Sequence, residues 1–92
     1  MRKIKTYFLY ILKCTDGSLY CGITVDLKRR VLEHNFTRLG AKYTRSRRPV
    51  KLIYSKKFLN KSTALKEEYK IKKLSRTAKM EIIKKNRKIF KR

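Results

Sequence analysis

The sequence predicts an α+β fold, an α/β sandwich in which a small three-stranded antiparallel sheet is flanked by helices. Two runs rich in β-branched and aromatic residues are separated by a turn signal, and a third alternating run follows near the middle of the chain. The segments between and after these runs have helical spacing, so the predicted order is strand, strand, helix, strand, helix, helix. We expect the 92 residues to form a single domain, residues 1–92, with one modest core.

The first two strands are predicted to form a hairpin. The runs "YFLYILK" (7–13) and "LYCGIT" (19–24) flank Asp16-Gly17, a residue pair that favours tight hairpin turns. Alternation places Tyr10 on one face of the first strand and Tyr20 on one face of the second. If those two faces coincide, the tyrosines are neighbours.

A helix is predicted directly after the hairpin. Asp26 can cap its N-terminus, and the helix then runs through "LKRRVLEHN". Leu27 and Val31 are spaced to face the sheet, whereas Arg30 and His34 lie one turn apart on another side. We therefore expect the arginine and the histidine to project together.

A basic loop and the third strand come next. The stretch "FTRLGAKYTRSRRP" (36–49) contains a glycine, a proline and five basic residues, and is predicted to be a loop that contacts a ligand. The following "VKLIYSKKF" (50–58) alternates well enough for a strand, with Val50, Leu52 and Tyr54 on one side.

Two further helices are predicted towards the C-terminus. Ser62 or Thr63 can cap the first of them, and Ser75 or Thr77 can cap the second. The last residues, from about 84–92, are predicted to fray into a basic tail.

The charge of the chain points to a polyanionic partner. Twenty-eight lysines and arginines against six acids give a formal charge of +22, which favours nucleic acid, while 41% hydrophobic residues argue against a disordered tail. No apolar run approaches the length of a spanning helix, so we expect a soluble cytoplasmic protein without a membrane partner. Cys14 and Cys21 are expected to face each other across the hairpin as reduced, structural thiols, and no Cys/His set has zinc spacing.

One of the few acids is predicted to point towards the core. On a helical projection Glu68 falls within an apolar arc, and Glu67 lies nearer its edge; the arc consists of Leu65, Tyr69, Ile71 and Leu74. A carboxylate on an apolar face is costly unless it is neutral, paired or bound to a metal. It can therefore form a buried salt bridge, for instance to Arg30, or bind a hard cation such as Mg²⁺.

Each remaining candidate residue allows an ordinary interpretation as well as a functional one. Tyr10 and Tyr20 can be core aromatics, and Arg30 and His34 can be solvated. Taken together with Glu68, however, they would supply a base, a charge clamp and a metal ligand.

These residues resemble those of the GIY-YIG nuclease superfamily, and in particular its small stand-alone members. The family opens with Gly-Ile-Tyr, here "FLY" (8–10), and continues with Tyr-Ile-Gly, here "YCG" (20–22), so that the tyrosines and the second glycine match. The stretch "GITVDLKRRVLEHN" is similar to the family's helix and assigns its arginine and histidine to Arg30 and His34. "GAKYTRSRRPVKLIY" resembles the small members, and "ALKEEYKIKKLS" resembles the segment with the metal-binding glutamate, which selects Glu68.

The resemblance implies metal-dependent hydrolysis of a DNA phosphodiester with one divalent ion, Mg²⁺ or Mn²⁺, and no small-molecule cofactor. Glu68 would hold the metal, and Tyr10 would deprotonate the attacking water directly or through a relay. Since an unperturbed tyrosine has a pKa near ~10, its basic and metallated surroundings would have to lower that pKa. Arg30 would stabilise the phosphorane, and Tyr20 and His34 would position water or phosphate, with His34 an alternative base.

The expected partner is DNA, single-stranded or branched rather than a long specific sequence, and RNA is possible. Tyr43 can stack on a base or pack against the first helix, and Gly22 is expected to leave room for a phosphate. An alternative function is non-catalytic binding of DNA or RNA on the same fold. The candidate contact residues are mostly basic: Arg29, Lys42, Tyr43, Arg45, Arg47 and Arg48.

Overall fold

Three antiparallel strands form one sheet in the computed structural model, which describes residues 5–90. The strand order is β2-β1-β3, so β1 is central and β2 is an edge strand. The predicted fold class and element order are confirmed, and one helical turn, α2, is added within the predicted basic loop. The elements are β1 (Tyr7–Lys13), β2 (Leu19–Thr24), α1 (Leu27–Phe36), α2 (Lys42–Arg45), β3 (Lys51–Phe58), α3 (Lys61–Lys72) and α4 (Arg76–Phe90).

The sheet has a hydrophobic cluster on each face. On one face, Leu27 and Val31 of α1 pack against Leu12 of β1, as predicted. On the other face, Ile71 of α3 and Ile83 of α4 are buried against the central strand. The protein therefore has two helical layers separated by one sheet, which we call the α1 layer and the α3–α4 layer.

The hairpin places Tyr10 and Tyr20 on the same face of the sheet, as predicted, but it does not bring its two cysteines together. Tyr10 pairs with Gly22 and Leu12 with Tyr20, so the two tyrosine-bearing faces coincide. Cys14 packs in the α1 layer, whereas Cys21 packs in the α3–α4 layer. The expectation that these cysteines face each other is wrong, because they project to opposite faces of the sheet; both are free and buried.

A β-bulge changes which face of the sheet the side chains of β3 point to. The pairing shifts from Ile11 opposite Tyr54 to Leu12 opposite Leu52, which leaves Ile53 as an extra residue. The prediction that Tyr54 shares a side with Leu52 is wrong for this reason. Tyr54 packs in the α3–α4 layer.

The helix caps agree with the sequence at two of three positions. Asp26 caps α1 by accepting a hydrogen bond from the amide three residues on, and Ser75 does the same for α4. For α3 the cap is Asn60, whose side chain accepts from the Thr63 amide at 2.8 Å, so neither Ser62 nor Thr63 is the cap.

The C-terminal helix extends into the predicted tail. The backbone of α4 is helical as far as Phe90, and residues 91 and 92 lie outside the described residues. Across residues 5–90, no helix combines the length and the apolar character that crossing a membrane requires.

Candidate active site

The side chains of His34 and Arg30 meet at the hydroxyl of Tyr10, a buried residue of the central strand. The Tyr10 oxygen lies 2.9 Å from Nε2 of His34, and Nε of Arg30 donates to the same oxygen at 3.4 Å. The Tyr20 ring lies 6.5 Å from the Tyr10 ring and 5.3 Å from the His34 ring, measured between centroids. The hairpin and α1 thus bring together the two tyrosines, the arginine and the histidine that the sequence singled out.

Gly22 makes the position of Tyr10 possible. A Cβ at residue 22 would lie 2.6 Å from the Tyr10 hydroxyl oxygen and 2.8 Å from Cζ, closer than side chains approach each other. The expectation that Gly22 leaves room for a phosphate is therefore wrong, because the phenol of Tyr10 fills that space.

A buried threonine orients the imidazole. The Thr44 hydroxyl lies 2.8 Å from Nδ1 of His34 and donates to the Ala41 carbonyl at 3.0 Å. Since the hydroxyl has one hydrogen, Nδ1 donates to it, and Nε2 accepts from Tyr10. The Ala41 amide lies 3.4 Å from Nδ1, a longer contact than the 2.8 Å one between Nδ1 and Thr44. This tautomer also leaves no hydroxyl hydrogen in the cluster without an acceptor.

Both groups of the Tyr10–His34 pair are neutral near pH 7. Burial, reinforced by the charge of Arg30, lowers the pKa of His34 from 6.5 to about 4. Burial raises the pKa of Tyr10 to about 12, although the hydrogen bond and charge of Arg30 oppose this shift. The protein's own groups therefore raise the pKa of Tyr10, because desolvation outweighs the nearby guanidinium. That basic and metallated surroundings together lower it stays a prediction.

Arg30 is held in place by two further acceptors. One of its terminal nitrogens donates to Glu33 Oε1 and to the Leu39 carbonyl, both at 2.8 Å. The ion-pair partner of Arg30 is therefore Glu33 on the same helix, and the predicted alternative of a bridge to Glu68 is wrong.

Glu68 lies in the opposite layer. Its side chain is 17% exposed and pairs with Lys72 Nζ at 3.3 Å. Burial, and secondly the charge of Glu68, raise the pKa of Cys21 to about 11. Because Cys21 lies on β2, the carboxylate of Glu68 is on the β2 side of α3. Among the described residues, no hydrogen bond joins Glu68 to the Tyr10 cluster.

The apolar arc of α3 is narrower than the sequence indicates. Ala64 and Ile71 are buried, but Leu65 and Tyr69 are 43% and 63% exposed, so their predicted place on the core side is wrong. The helix is rotated so that its two glutamates stand beside the buried residues.

The side chains near Glu68 suit only a metal ion whose remaining ligands are water or substrate oxygens. In the described part of the chain, no group of three His, Cys, Asp or Glu side chains could hold an ion. Mg²⁺ commonly binds one or two carboxylates and completes its shell with water and phosphate oxygens. Glu68 fits that mode, provided that Lys72 releases it.

A cleft crosses the β2 edge between the two layers. Tyr20 and Tyr43 line it on one side and Lys72 and Lys79 on the other, with Cys21 also in its lining, and its volume is about 250 Å³. The lining of this edge cleft includes Tyr20, whose ring neighbours that of Tyr10, and Lys72, the ion-pair partner of Glu68.

Two of the predicted contact arginines stabilise the basic loop. Arg47 donates to Asp16 at 3.1 Å and to the Tyr43 carbonyl at 2.8 Å, and it lies 3.9 Å from the centre of the Tyr43 ring. Arg48 donates to carbonyls at the C-terminal end of α1, among them those of His34 and Thr37.

The other predicted contact residues are exposed. Lys42 and Arg45 lie on α2, and Arg29 forms a 3.5 Å ion pair with Glu33. The ring of Tyr43 stacks on Tyr20 with centroids 6.0 Å apart, so its main aromatic contact is with β2.

Three residues that support the site were missed by sequence reasoning. Thr44 fixes the imidazole, and a Cβ at Gly40 would lie 2.7 Å from the His34 Cα. Asn35 exchanges hydrogen bonds with the backbone of Val50 at 2.7 and 3.1 Å, which joins α1 to the start of β3. The glycine within a basic loop was the one available signal; no local pattern marks Thr44 or Asn35.

The profile of the GIY-YIG catalytic domain matches residues 6–88. The chain belongs to the GIY-YIG family. This is a nuclease family, which implies a nucleic-acid substrate. UPF0213 protein DP2720 of Desulfotalea psychrophila is 50% identical over 84 residues, 91% of this chain and 76% of that protein. UPF0213 protein SSP2268 of Staphylococcus saprophyticus is 51% identical over 77 residues, 84% and 93% of the two chains.

Two solution NMR structures resemble this GIY-YIG domain. The UPF0213 protein BH0048 from Bacillus halodurans is 42% identical with a TM-score of 0.57, and the match covers 86% of this chain and 83% of that one. The protein EF2693 from E. faecalis is 37% identical with a TM-score of 0.61, and the match covers 92% and 90%.

Proposed function

We propose that this protein is a divalent-metal-dependent DNA endonuclease that hydrolyses phosphodiester bonds. The observation that supports it is the convergence of a neutral phenol, a neutral imidazole and a guanidinium on one oxygen atom, that of Tyr10. A structural role alone does not require an acid–base pair beside a fixed cation.

The pair can move a proton without forming a free phenolate. Tyr10 accepts a proton from the attacking water while its own proton passes to Nε2 of His34, the atom to which it already donates. The phenol is neutral before and after the transfer, so the relay is governed by the basicity of His34 and not by the pKa near 12 of Tyr10. The pKa of His34 is about 4 in the protein alone, and an anionic phosphate bound beside it would favour the imidazolium that the relay forms. The water oxygen bonds to phosphorus, the leaving oxygen is protonated by solvent, and His34 later returns its proton to solvent.

Arg30 and Glu68 have electrostatic roles in this proposal. Arg30, anchored by Glu33, stabilises the charge that develops on the phosphorane oxygens. Glu68 would hold Mg²⁺ or Mn²⁺, which when bound would supply positive charge to the phosphate. Tyr20, between the Tyr10 cluster and the edge cleft, positions the phosphate.

The substrate is proposed to be single-stranded or branched DNA. Lys42, Arg45 and Arg29 are exposed beside the site and can contact phosphates without losing a buried partner. Arg47 and Arg48 contribute mainly by holding the loop that carries these contacts.

The proposal is tested by cleavage of matched single-stranded, duplex and flapped DNA with Mg²⁺, Mn²⁺ or chelator. Glu68→Gln should abolish cleavage, whereas Glu67→Gln should retain it. Glu67 is a matched control, because it is a neighbouring half-buried carboxylate on α3 whose charge acts on Tyr54 of β3 instead of on the edge cleft. RNA of the same sequence distinguishes the two nucleic acids.

Two outcomes would contradict the proposal. Equal cleavage by wild-type and Glu68→Gln protein, purified away from host nucleases, would remove Glu68 from the mechanism. Tight, salt-sensitive binding with no cleavage under any metal condition would favour the non-catalytic function instead.

A further inference from the structure

Three flat groups form a column beside the Tyr10 cluster. The Tyr43 ring stacks on the Tyr20 ring with centroids 6.0 Å apart and planes 23° apart, and Cζ of Arg47 lies 3.9 Å from the centre of the Tyr43 ring. The Tyr43 ring thus has one aromatic partner and one cationic partner, both at distances at which such groups attract each other. We call Tyr20, Tyr43 and Arg47 the aromatic column.

The outer end of the column is tied to the hairpin turn. Nε of Arg47 donates to Oδ2 of Asp16 at 3.1 Å, and one of its terminal nitrogens donates to the Tyr43 carbonyl at 2.8 Å. The backbone repeats the connection, because the Thr15 amide donates to the Arg47 carbonyl at 3.0 Å. Asp16 is fixed in turn by Ser18, whose amide and hydroxyl donate to Oδ1 at 3.0 and 2.6 Å. Moving the guanidinium away from the Tyr43 ring would break its contact with Asp16.

The inner end of the column lies in the active site. The Tyr20 ring packs edge-on against the His34 ring with centroids 5.3 Å apart, and it lies 6.5 Å from the Tyr10 ring. Among the described residues, no side-chain hydrogen bond holds Tyr20, so its orientation depends on the rings that pack against it. One of these, the Tyr43 ring, is supplied by the column.

Consecutive residues of α2 support two different rings of the site. Thr44 accepts from Nδ1 of His34 and fixes the imidazole, while Tyr43 packs on Tyr20. Consecutive side chains of a helix point about 100° apart, so one helical turn can reach both rings. A helix of four residues is not stable alone, and α2 therefore depends on the contacts that Arg47 makes with the hairpin turn.

We propose that Tyr43 and Arg47, anchored by Asp16, are positioning residues that hold the Tyr20 ring in the active site. They act on the reaction through Tyr20 and without touching the substrate. The inference rests on the proposed function, in which Tyr20 positions the phosphate. It also gives a role to an acidic residue beside a basic surface, because the Asp16 carboxylate keeps the Arg47 guanidinium on the Tyr43 ring.

The first test uses the opposite charges of the anchoring pair. Asp16→Asn removes a negative charge and keeps the oxygen that accepts from Ser18, whereas Arg47→Met removes a positive charge. Both variants should lower kcat about tenfold on whichever of the single-stranded, duplex and flapped substrates the wild type cleaves fastest, because a misplacement of ~1 Å can cost ~100-fold. A purely electrostatic effect would leave kcat unchanged and shift KM in opposite directions, down for Asp16→Asn and up for Arg47→Met.

A spectroscopic measurement follows the Tyr20 ring without any substrate. Ring protons of Tyr20 and His34 should give a nuclear Overhauser effect in the wild type, and Asp16→Asn and Arg47→Met should both weaken it. The effect between Tyr10 and His34, whose centroids are 5.8 Å apart, is the internal reference, because neither ring belongs to the column. A variant that only lowered the free energy of unfolding would leave both effects unchanged in the folded protein.

Variants of Tyr43 and a matched control complete the experiment. Tyr43→Leu should weaken the Tyr20–His34 effect, whereas Tyr43→Phe keeps the stacked ring and should give the wild-type value. The control for Arg47→Met is Arg45→Met, because Arg45 is an exposed arginine of α2 that forms no ion pair with any described residue. Arg45→Met should leave the Overhauser effect unchanged and, through loss of a phosphate contact, raise KM alone. Thermal unfolding confirms that each variant is folded.

The inference requires that kcat and the Tyr20–His34 effect fall together in Asp16→Asn and Arg47→Met, and a loss of either one alone would overturn it. Equal losses in Arg45→Met and Arg47→Met would also overturn it. Failure of the proposed function is distinguishable, because a wild type that cleaves no DNA still shows by its Overhauser effects whether the column holds Tyr20. Conversely, Glu68-dependent cleavage with unchanged kcat in the column variants would retain the nuclease and remove this inference.

Discussion

Replacing Thr44 by valine isolates the hydrogen bond that orients His34. Valine has nearly the shape of threonine but cannot accept from Nδ1 of His34 or donate to the Ala41 carbonyl. Thr44 and His34 are fully buried, so no water can replace the lost acceptor without rearrangement. A buried donor left unsatisfied costs about 1–3 kcal/mol, which is the expected loss of folding free energy.

The loss is large enough to measure in a domain of this size. Each 1 kcal/mol corresponds to a decrease in Tm of about 4–8 °C for a domain of 60–100 residues. Thermal unfolding followed by circular dichroism gives the change, with Thr44→Ser as the control that keeps the hydroxyl and removes only a methyl group. The nitrogen-15 shifts of the His34 ring report the tautomer directly, and Thr44→Val should reduce the fraction with hydrogen on Nδ1.

The reasoning is refuted if Thr44→Val is as stable as the wild type while Thr44→Ser is less stable. In that case the methyl group, and not the hydroxyl, would be what residue 44 contributes. An unchanged His34 tautomer in Thr44→Val would likewise show that Tyr10 alone sets the imidazole.

Two further predictions concern the same cluster. Gly22→Ala should destabilise the fold by about 1–3 kcal/mol through overpacking against Tyr10, and it should also reduce cleavage. The control is Gly17→Ala, at φ 84° with open space around it, which should cost about 1–2 kcal/mol of folding free energy and leave cleavage unchanged. Equal losses of cleavage in the two variants would contradict the argument. Because the pKa of His34 falls from 6.5 to about 4 on folding, the unfolded chain binds more protons between those pH values. The free energy of unfolding should therefore decrease by up to roughly 3 kcal/mol as the pH falls through that window. Unfolding of wild type and His34→Gln at a series of pH values measures the effect, and parallel curves for the two proteins would refute it.

The hairpin and α1 were predictable because their signals are local. Alternation fixes which residues of a strand share a face, and helical spacing fixes that Arg30 and His34 lie one turn apart. Both rules act within a few residues, so the meeting of Tyr10, Tyr20, Arg30 and His34 follows once the two faces of the hairpin coincide.

The bulge and the rotation of α3 were not predictable because they depend on partners distant in sequence. The extra residue Ile53 exists only in relation to the pairing of β3 with β1. For α3, Leu65 and Tyr69 are apolar but flank the true contact side, and packing against the sheet selects Ala64 and Ile71 instead. Apolar residues on both sides of a helix leave its rotation undetermined by periodicity alone.

The protein's own charges do not lower the pKa of Tyr10, and the reason is physical. A formal charge of +22 suggests a field that favours phenolate, but most of that charge is spread over an exposed surface and is screened within about 10 Å at 0.1 M salt. Burial acts at the oxygen itself and is not screened. The sequence reports the number of charges but not the depth of one hydroxyl group.

The position of β2 at the edge of the sheet would allow the proposed site to draw on both layers. A side chain on one face of a sheet cannot reach the other face through a central strand, so the Tyr10 cluster and Glu68 can cooperate only around an open edge. Open edges invite pairing with other chains, and proteins commonly protect them with charged side chains, lysine above all. Lys72 and Lys79 stand beside this edge. The same two positive charges that discourage a protein strand from adding to β2 attract a polyanion to it. Protection of the edge and binding of nucleic acid therefore both require a positive charge at these two positions.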